Sequence, residues 1–196
     1  MKLIWIRHGK TLGNLQRRYV GRTDEPLCAE GRQELQQLKQ AGNYPAVEVV
    51  YASPMRRCLE TAALLYPQRA IHIIEDYREC DFGRFEYETY ETLKIDAAYQ
   101  AWLDSNGEGE IPEGENAAEF RARCCQGFRQ MMADLVQREA KLAAVVVHGG
   151  TMMAVLAAFA KVKRPFYDWQ AKNGHGYWAD VTDWQQTQQM DVYQKY

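Results

Sequence analysis

Short runs of apolar, β-branched residues occur at Lys2 to Ile6, Val47 to Tyr51, Ile71 to Ile74 and Ala143 to Val147. They are nearly continuous in hydrophobicity, as in strands buried on both faces. Helical spacing fills the intervals between them. Leu35 and Leu38 follow Gly31 at helical spacing, and Met55 to Tyr66 sets Leu59, Ala62, Ala63 and Tyr66 along one predicted face. Ala117, Phe120, Cys124, Phe128, Met131 and Leu135 step by three or four through a long helix. Asn116 is its expected N-cap, with Glu119 at the capping-box position. Thr151 to Ala160 is apolar almost throughout, which predicts a buried helix, and a later strand is expected at Tyr177 to Val181. This alternation predicts an α/β fold, a three-layer αβα sandwich around a mostly parallel sheet. No repeat or linker interrupts residues 1–196, so a single domain is expected, with the Gly-rich stretch from Asn106 to Gly114 as a loop within it.

Composition narrows the class. Of the 196 residues, 46% are hydrophobic and 26% charged, globular values that allow roughly 70% of the unfolded surface to be buried without disulfides or metals. The formal charge of −2 argues against a nucleic-acid coat or a membrane-surface binder, so no nucleic acid and no membrane are expected as partners. The longest apolar runs, Leu142 to Val147 and Met152 to Ala160, are shorter than the roughly 18 residues of a membrane span. The first apolar stretch is too short for a secretory signal, and a cytoplasmic location is expected. Five cysteines with no C-x-x-C suggest reduced, mostly buried thiols.

Charge is unevenly placed. Residues 75–119 hold fourteen acids and three bases, whereas residues 1–69 hold eleven bases and six acids. The acidic segment also carries Phe82, Phe85, Tyr87, Tyr90, Tyr99 and Trp102. It reads as a small helical and loop cap, approximately residues 76–115, inserted after the third strand, most of its acids forming a solvated face.

Ligands of open parallel sheets bind outside the carboxyl ends of the strands. There the first strand ends in Arg7, His8 and Gly9, the second in Ser53, Pro54, Met55 and Arg56, and the strand Ala143 to Val147 in His148, Gly149 and Gly150. A lone histidine or arginine at such a place is usually a solvated or paired surface residue. Three strand ends delivering two histidines and two arginines raise the functional reading. Ser53 is a good N-cap and Pro54 suits the first helical position, which would set Arg56 in the first turn beside free N–H groups. Gly149 and Gly150 open the buried helix and offer further donors. Arg7 and Arg56 can each grip phosphate oxygens bidentately, so the expected ligand is a dianionic phosphate. Two histidines in a basic pocket suit covalent phosphoryl transfer, since neutral imidazole is both a good nucleophile and a good leaving group. Four histidines with no H-x-H or H-E-x-x-H give no metal site, and no P-loop occurs, so neither metal nor cofactor is expected. Arg17, Arg18 and Arg22 read equally as solvated loop or phosphate rim.

The stretches IRHGKTLGNLQRRYVGRTDEPLCAEG, SPMRRCLETA, YRECDFGRFE and VVVHGG, in this order, resemble the histidine phosphatase superfamily, also called phosphoglycerate-mutase-like. The resemblance implies that His8 is the nucleophile that becomes phosphohistidine. Arg7 and Arg56 would grip the phosphoryl oxygens, with His148 adding a hydrogen bond and positive charge. Asn14 matches a phosphate-contacting asparagine and Thr11 the small hydroxyl residue before it. Glu79 would be the acid that protonates the leaving alkoxide and then activates water, with Asp81 and Glu86 as rivals. A carboxyl in an apolar, acid-rich cap can have its pKa raised toward neutrality, as that work requires. A bell-shaped pH–rate profile with an acidic to neutral optimum is therefore expected.

The sequence departs from the family at Lys10, where Glu is common, at Cys28, where Thr or Ser would cap a helix, at Tyr87, where Gly is usual, and at PEGEN for PGGES. Mutases of the family carry longer cap and tail segments that exclude water, so the short cap here implies hydrolysis of a small phosphorylated metabolite. The pattern is most similar to α-ribazole-5′-phosphate phosphatases of cobalamin nucleotide-loop assembly. Arg22, Tyr87 and Trp102 are then candidate substrate and cap residues, Trp102 stacking on a benzimidazole. Phosphoglycerate mutase-type transfer and a broad-specificity sugar or nucleotide phosphatase are the alternatives, and either a monomer or a homodimer is compatible with the sequence.

Overall fold

The computed structural model describes residues 1–196. In chain order the elements are β1 (Lys2–Arg7), α1 (Leu12–Leu15), α2 (Ala29–Gln40), β2 (Val49–Ala52), α3 (Arg56–Leu65), β3 (Ile71–Ile73), α4 (Tyr90–Leu93), α5 (Ala97–Asp104), α6 (Ala117–Gln137), β4 (Leu142–Val147), α7 (Gly149–Phe159), β5 (Gly176–Asp180), α8 (Trp184–Thr187) and β6 (Asp191–Lys195). The sheet order is β3-β2-β4-β1-β5-β6. The first four strands are mutually parallel, and β5 runs antiparallel to both β1 and β6.

Strand alternation divides the core into two layers. Leu3 and Trp5 of β1 join Val145 and Val147 of β4 in a cluster that takes in Phe128 of α6 and Leu156 of α7. Ile4 and Ile6 join Ala144 and Val146 on the other face, packed on Leu35 of α2 and Ala62 of α3. The all-round apolar character of α7 follows from burial of eight of its residues. Asn116 caps α6 by accepting the Ala118 and Glu119 amides; no reciprocal bond from the Glu119 side chain completes a capping box.

The segment after β3 contains α4 and α5 and forms its own small core from Phe85, Leu93, Tyr99 and Ile111. The site is positioned by topology. Because β4 lies between β1 and β2, the residues that follow the three strands, His8, Ser53 and His148, come side by side. The His8 amide is fixed to the Val147 carbonyl at 2.9 Å.

Candidate active site

His8 is buried, and its Nδ1 sits 2.7 Å from the Gly9 carbonyl. A carbonyl can only accept, so Nδ1 carries the proton and Nε2 presents a lone pair. That face opens onto a cavity of 280 Å³ whose walls include Arg7, Asn14, Glu79, Gly149 and Gly150. Burial, then Arg57 and Arg7, hold the His8 pKa well below its ordinary 6.5.

His148 lies beneath, its ring centroid 5.2 Å from that of His8. Its Nε2 is 2.7 Å from Ser53 Oγ, and Arg57 Nε donates to its Nδ1 at 3.2 Å. Since Arg can only donate, His148 is neutral with its proton on Nε2. Burial and the Arg57 charge push its pKa down, in agreement. The positive charge expected of His148 is therefore supplied by its neighbour.

That neighbour is not the arginine named from sequence. Arg56 is exposed and its guanidinium pairs with Glu60 at 2.8 Å, one turn on. Arg57 is fully buried, bonded to His148 and, through its Nη atoms, to the Thr23 and Gly21 carbonyls at 2.8 and 2.9 Å. The helix begins later than expected. Met55, not Ser53, is the N-cap of α3, and Ser53 Oγ accepts the Met55 amide at 3.3 Å while also facing His148. The buried face of α3 is Arg57, Cys58, Thr61, Ala62 and Leu65, while Ala63 is exposed. A face drawn through Cys58, Ala62 and Leu65 carries Arg57 with it and leaves Arg56 outside, which was the available signal.

Arg7 donates from Nη1 to the Ala171 carbonyl at 2.8 Å, and its buried Nε has no partner. Glu79 lines the cavity, held by the Gly150 amide at 3.0 Å and the Cys80 amide at 3.1 Å. A side chain at Gly150 would bring its Cβ within 2.3 Å of the Glu79 carboxylate, so the glycine makes the seat. Burial raises the Glu79 pKa, outweighing those two amides and the nearby Arg57 and Arg7.

The rival acids hold structure instead. Glu86 accepts the Gly21 and Thr23 amides, both at 2.9 Å, and Asp81 accepts the Gly83 amide at 2.8 Å and pairs with Arg22. Arg22 itself is exposed and lines, with Asp81 and Glu79, a separate cavity from the one that His8 faces. Asn14 is a cavity wall whose Oδ1 accepts from the Thr11 amide and from Asn173. Thr11 is fully buried and caps α1, so its hydroxyl is engaged away from the cavity. Tyr87 lies outside the cavity wall, its hydroxyl on Glu25 and its ring under Arg18. Trp102 does line the cavity, but its ring packs among Tyr19, Phe82, Phe85 and Tyr99 at centroid distances of 5.8 to 6.5 Å. It is committed to the cap cluster.

Parallel strand ends thus set Arg7, His8 and the first turn of α7 on the wall of one cavity, with His148 and Arg57 buried behind them, in an α/β protein. The sequence profile of the histidine phosphatase superfamily (branch 1) matches residues 3–190, and the chain belongs to that family.

Among curated relatives, the adenosylcobalamin/alpha-ribazole phosphatase of Escherichia coli strain K12 is 27% identical over 192 residues, 92% of this chain and 89% of that protein. A "Probable phosphoglycerate mutase GpmB" of Proteus mirabilis strain HI4320 is 30% identical over 139 residues, 68% of this chain and 64% of the relative. For two further mutases of that name the match spans 59 and 61% of the relative's length. Solved structures give the same fold. The alpha-ribazole phosphatase from Shigella flexneri superposes with a TM-score of 0.81 at 24% identity, covering 98% of this chain and 95% of that one. A phosphoserine phosphatase from Entamoeba histolytica in complex with phosphoserine gives 0.79 at 25%, covering 99% and 95%.

Proposed function

We propose that this chain hydrolyses small phosphomonoesters through a phosphohistidine on His8, with no metal or cofactor. The observation that carries the reading is the His8 ring, its Nδ1–H fixed by Gly9 and its Nε2 free in the same cavity wall as Arg7 and Glu79. Arg7 Nε, Arg57, Asn14 and the first turn of α7 would receive the phosphoryl oxygens. Nε2 attacks phosphorus, the ester P–O bond breaks with its electron pair on the leaving oxygen, and protonated Glu79 supplies that oxygen's proton. Water then attacks the phosphohistidine and gives its proton to Glu79. Inorganic phosphate leaves and His8 returns neutral. His148 would act through Arg57 and Ser53, holding the guanidinium in place.

One relative, matched over 89% of its length, is named an adenosylcobalamin/alpha-ribazole phosphatase, which supports α-ribazole 5′-phosphate as the substrate to test first. Aryl phosphate turnover in chelator, abolished by His8→Ala, with an acid-labile phosphoryl adduct on the wild-type chain, is the expected result. The rate should fall on the acid side as His8 protonates and on the alkaline side as Glu79 ionises, and Glu79→Gln should remove the alkaline limb. Turnover surviving in His8→Ala, or a rate climbing steadily into alkaline pH, would overturn the proposal. Conversion of a phosphoglycerate to its isomer without free phosphate would assign transfer in place of hydrolysis.

A further inference from the structure

The strand that ends at the nucleophile is held from its far side by the loop leading into β5. Gly174, at a left-handed φ of 76°, donates its amide to the Arg7 carbonyl at 2.9 Å, and its own carbonyl accepts the Tyr44 hydroxyl at 2.5 Å. Arg7 Nη1 reaches the Ala171 carbonyl of the same loop at 2.8 Å. These anchors hold the turn whether or not residue 173 carries a polar side chain. The Asn173 carboxamide nevertheless makes two bonds, to the His8 carbonyl at 3.0 Å and to Asn14 Oδ1 at 3.2 Å. Neither joins neighbours in sequence, since Asn173 stands 165 residues from His8 and 159 from Asn14.

Donor and acceptor rules assign every atom of this group. The His8 carbonyl can only accept, so Asn173 presents its NH2 there. The same NH2 meets Asn14, which must answer with its carbonyl oxygen. The Thr11 amide, another obligate donor, reaches that Oδ1 at 3.2 Å. Two donors occupy both lone pairs of Oδ1, which leaves the Asn14 NH2 as the part of the carboxamide available to the 280 Å³ cavity that Asn14 lines. The terminal torsion of an asparagine is broad, and a single bond from Thr11, within the same turn, leaves the plane of the amide free to swing. The second donor, arriving from a different element, stops that swing. Asn173 itself is half-buried and is no wall of that cavity; it lines a separate surface groove with Lys10 and Lys172.

We propose that Asn173 is a positioning residue for oxyanion binding, which by occupying Oδ1 turns the Asn14 NH2 toward the phosphoryl group. The inference rests on the reading above that Asn14 receives a phosphoryl oxygen; it does not depend on the ester being hydrolysed. A donor already oriented needs no reorganisation when the anion arrives, whereas a carboxamide free to turn presents its oxygen part of the time, and an anion is repelled by it. Loss of Asn173 does not orphan the His8 carbonyl, because the Gly174 amide also approaches it, at 3.3 Å. The effect of removing Asn173 should accordingly travel through Asn14 and leave the histidine in place.

The probe is inorganic phosphate, its affinity measured by calorimetry for the wild type, Asn14→Ala, Asn173→Ala and the double variant. Loss of a hydrogen bond to a charged group should weaken phosphate about ten- to hundredfold in Asn14→Ala. Asn173→Ala should weaken it about three- to tenfold in the wild-type background, and by less than about twofold once residue 14 is Ala. A side chain that merely steadied the loop would give the same loss in both backgrounds and lower the urea midpoint as well. Equal losses in the two backgrounds, or unchanged phosphate affinity in Asn173→Ala, overturn the assignment. The acid limb of the rate profile, set by His8, should stay where it is in Asn173→Ala; a shift would route the effect through the His8 carbonyl and overturn it too. Should Asn173→Ala fold poorly, Asn173→Leu, close in shape and without donors, completes the same cycle. Aryl phosphate turnover reports separately on the phosphatase reading. A wild type that binds phosphate with this coupling but hydrolyses nothing removes that reading alone, and turnover with additive losses removes only the role of Asn173.

Discussion

At the scale of single residues, two adjacent arginines carry opposite environments. Arg56 lies in solvent with an i,i+4 carboxylate partner, an arrangement worth only a few tenths of a kcal/mol. Arg57 is fully buried and donates to an imidazole and to loop carbonyls. Arg56→Ala should therefore leave kcat/KM within about threefold. Arg57→Lys, which keeps the charge but loses the planar fork, should raise the barrier by about 2.7–4 kcal/mol, the cost of removing an oxyanion donor. Steady-state kinetics on an aryl phosphate checks both, and equal losses in the two variants would contradict the assignment. Residue identity was legible in the chain and helix phase was not, since SPMRR offers two arginines and only the packed face of α3 chooses between them. The departures at Cys28 and Tyr87 are likewise explained only by geometry. Cys28 Sγ accepts the Gly31 amide at 3.3 Å and so caps α2 in place of a hydroxyl. Tyr87 stands at φ 64°, a left-handed conformation that favours Gly, held by its amide on the Tyr19 carbonyl and by Arg18 over its ring.

At the scale of elements, the strands buried on both faces announced themselves as apolar runs because their burial is local information. The edge strand β6 did not. Its sequence DVYQK is exposed along most of its length, and its order comes from antiparallel pairing with β5, a non-local contact that no apolar run encodes. Helix α2 shows the same limit in reverse. Gly31 lies in its first turn, where propensity alone favours replacement by Ala by about 1 kcal/mol. A Cβ at Gly31, however, would stand 2.2 Å from the Lys10 carbonyl oxygen, a backbone atom on the loop that follows His8. Overpacking against backbone commonly costs about 1–3 kcal/mol, and the contact is short enough to place this case at the upper end. Gly31→Ala should lower the urea midpoint and, by shifting the loop behind the nucleophile, reduce kcat. A stabilised variant with normal turnover would show that the loop yields freely.

At the scale of the whole molecule, the site makes folding depend on pH in a direction that can be worked out. His8 and His148 are buried with pKa values well below the ordinary 6.5, so below about pH 6.5 the unfolded chain binds two protons that the native chain refuses. Each contributes roughly 1.4 kcal/mol of lost stability per pH unit as the pH falls. Glu79 acts the other way. Its native pKa is raised above 4.5 by burial, so between its unfolded and native values the native chain holds one proton that the unfolded chain has released. The net difference is then one proton, a slope of roughly 1.4 kcal/mol per unit. The carboxylates with lowered values, such as Asp134 and Glu60, add their own losses only nearer their ordinary titration range. Urea unfolding below the ordinary imidazole pKa of 6.5 and above the ordinary carboxylate range reports on the site, with Glu79 taking part as far as its raised native value extends. Glu79→Gln, neutral in both states, should steepen the slope toward two protons, and His8→Asn should flatten it toward none. A wild-type slope near zero, unchanged in both variants, would mean that the three groups titrate alike in the folded and unfolded chain, and the neutral imidazoles on which the nucleophile depends would be lost with it.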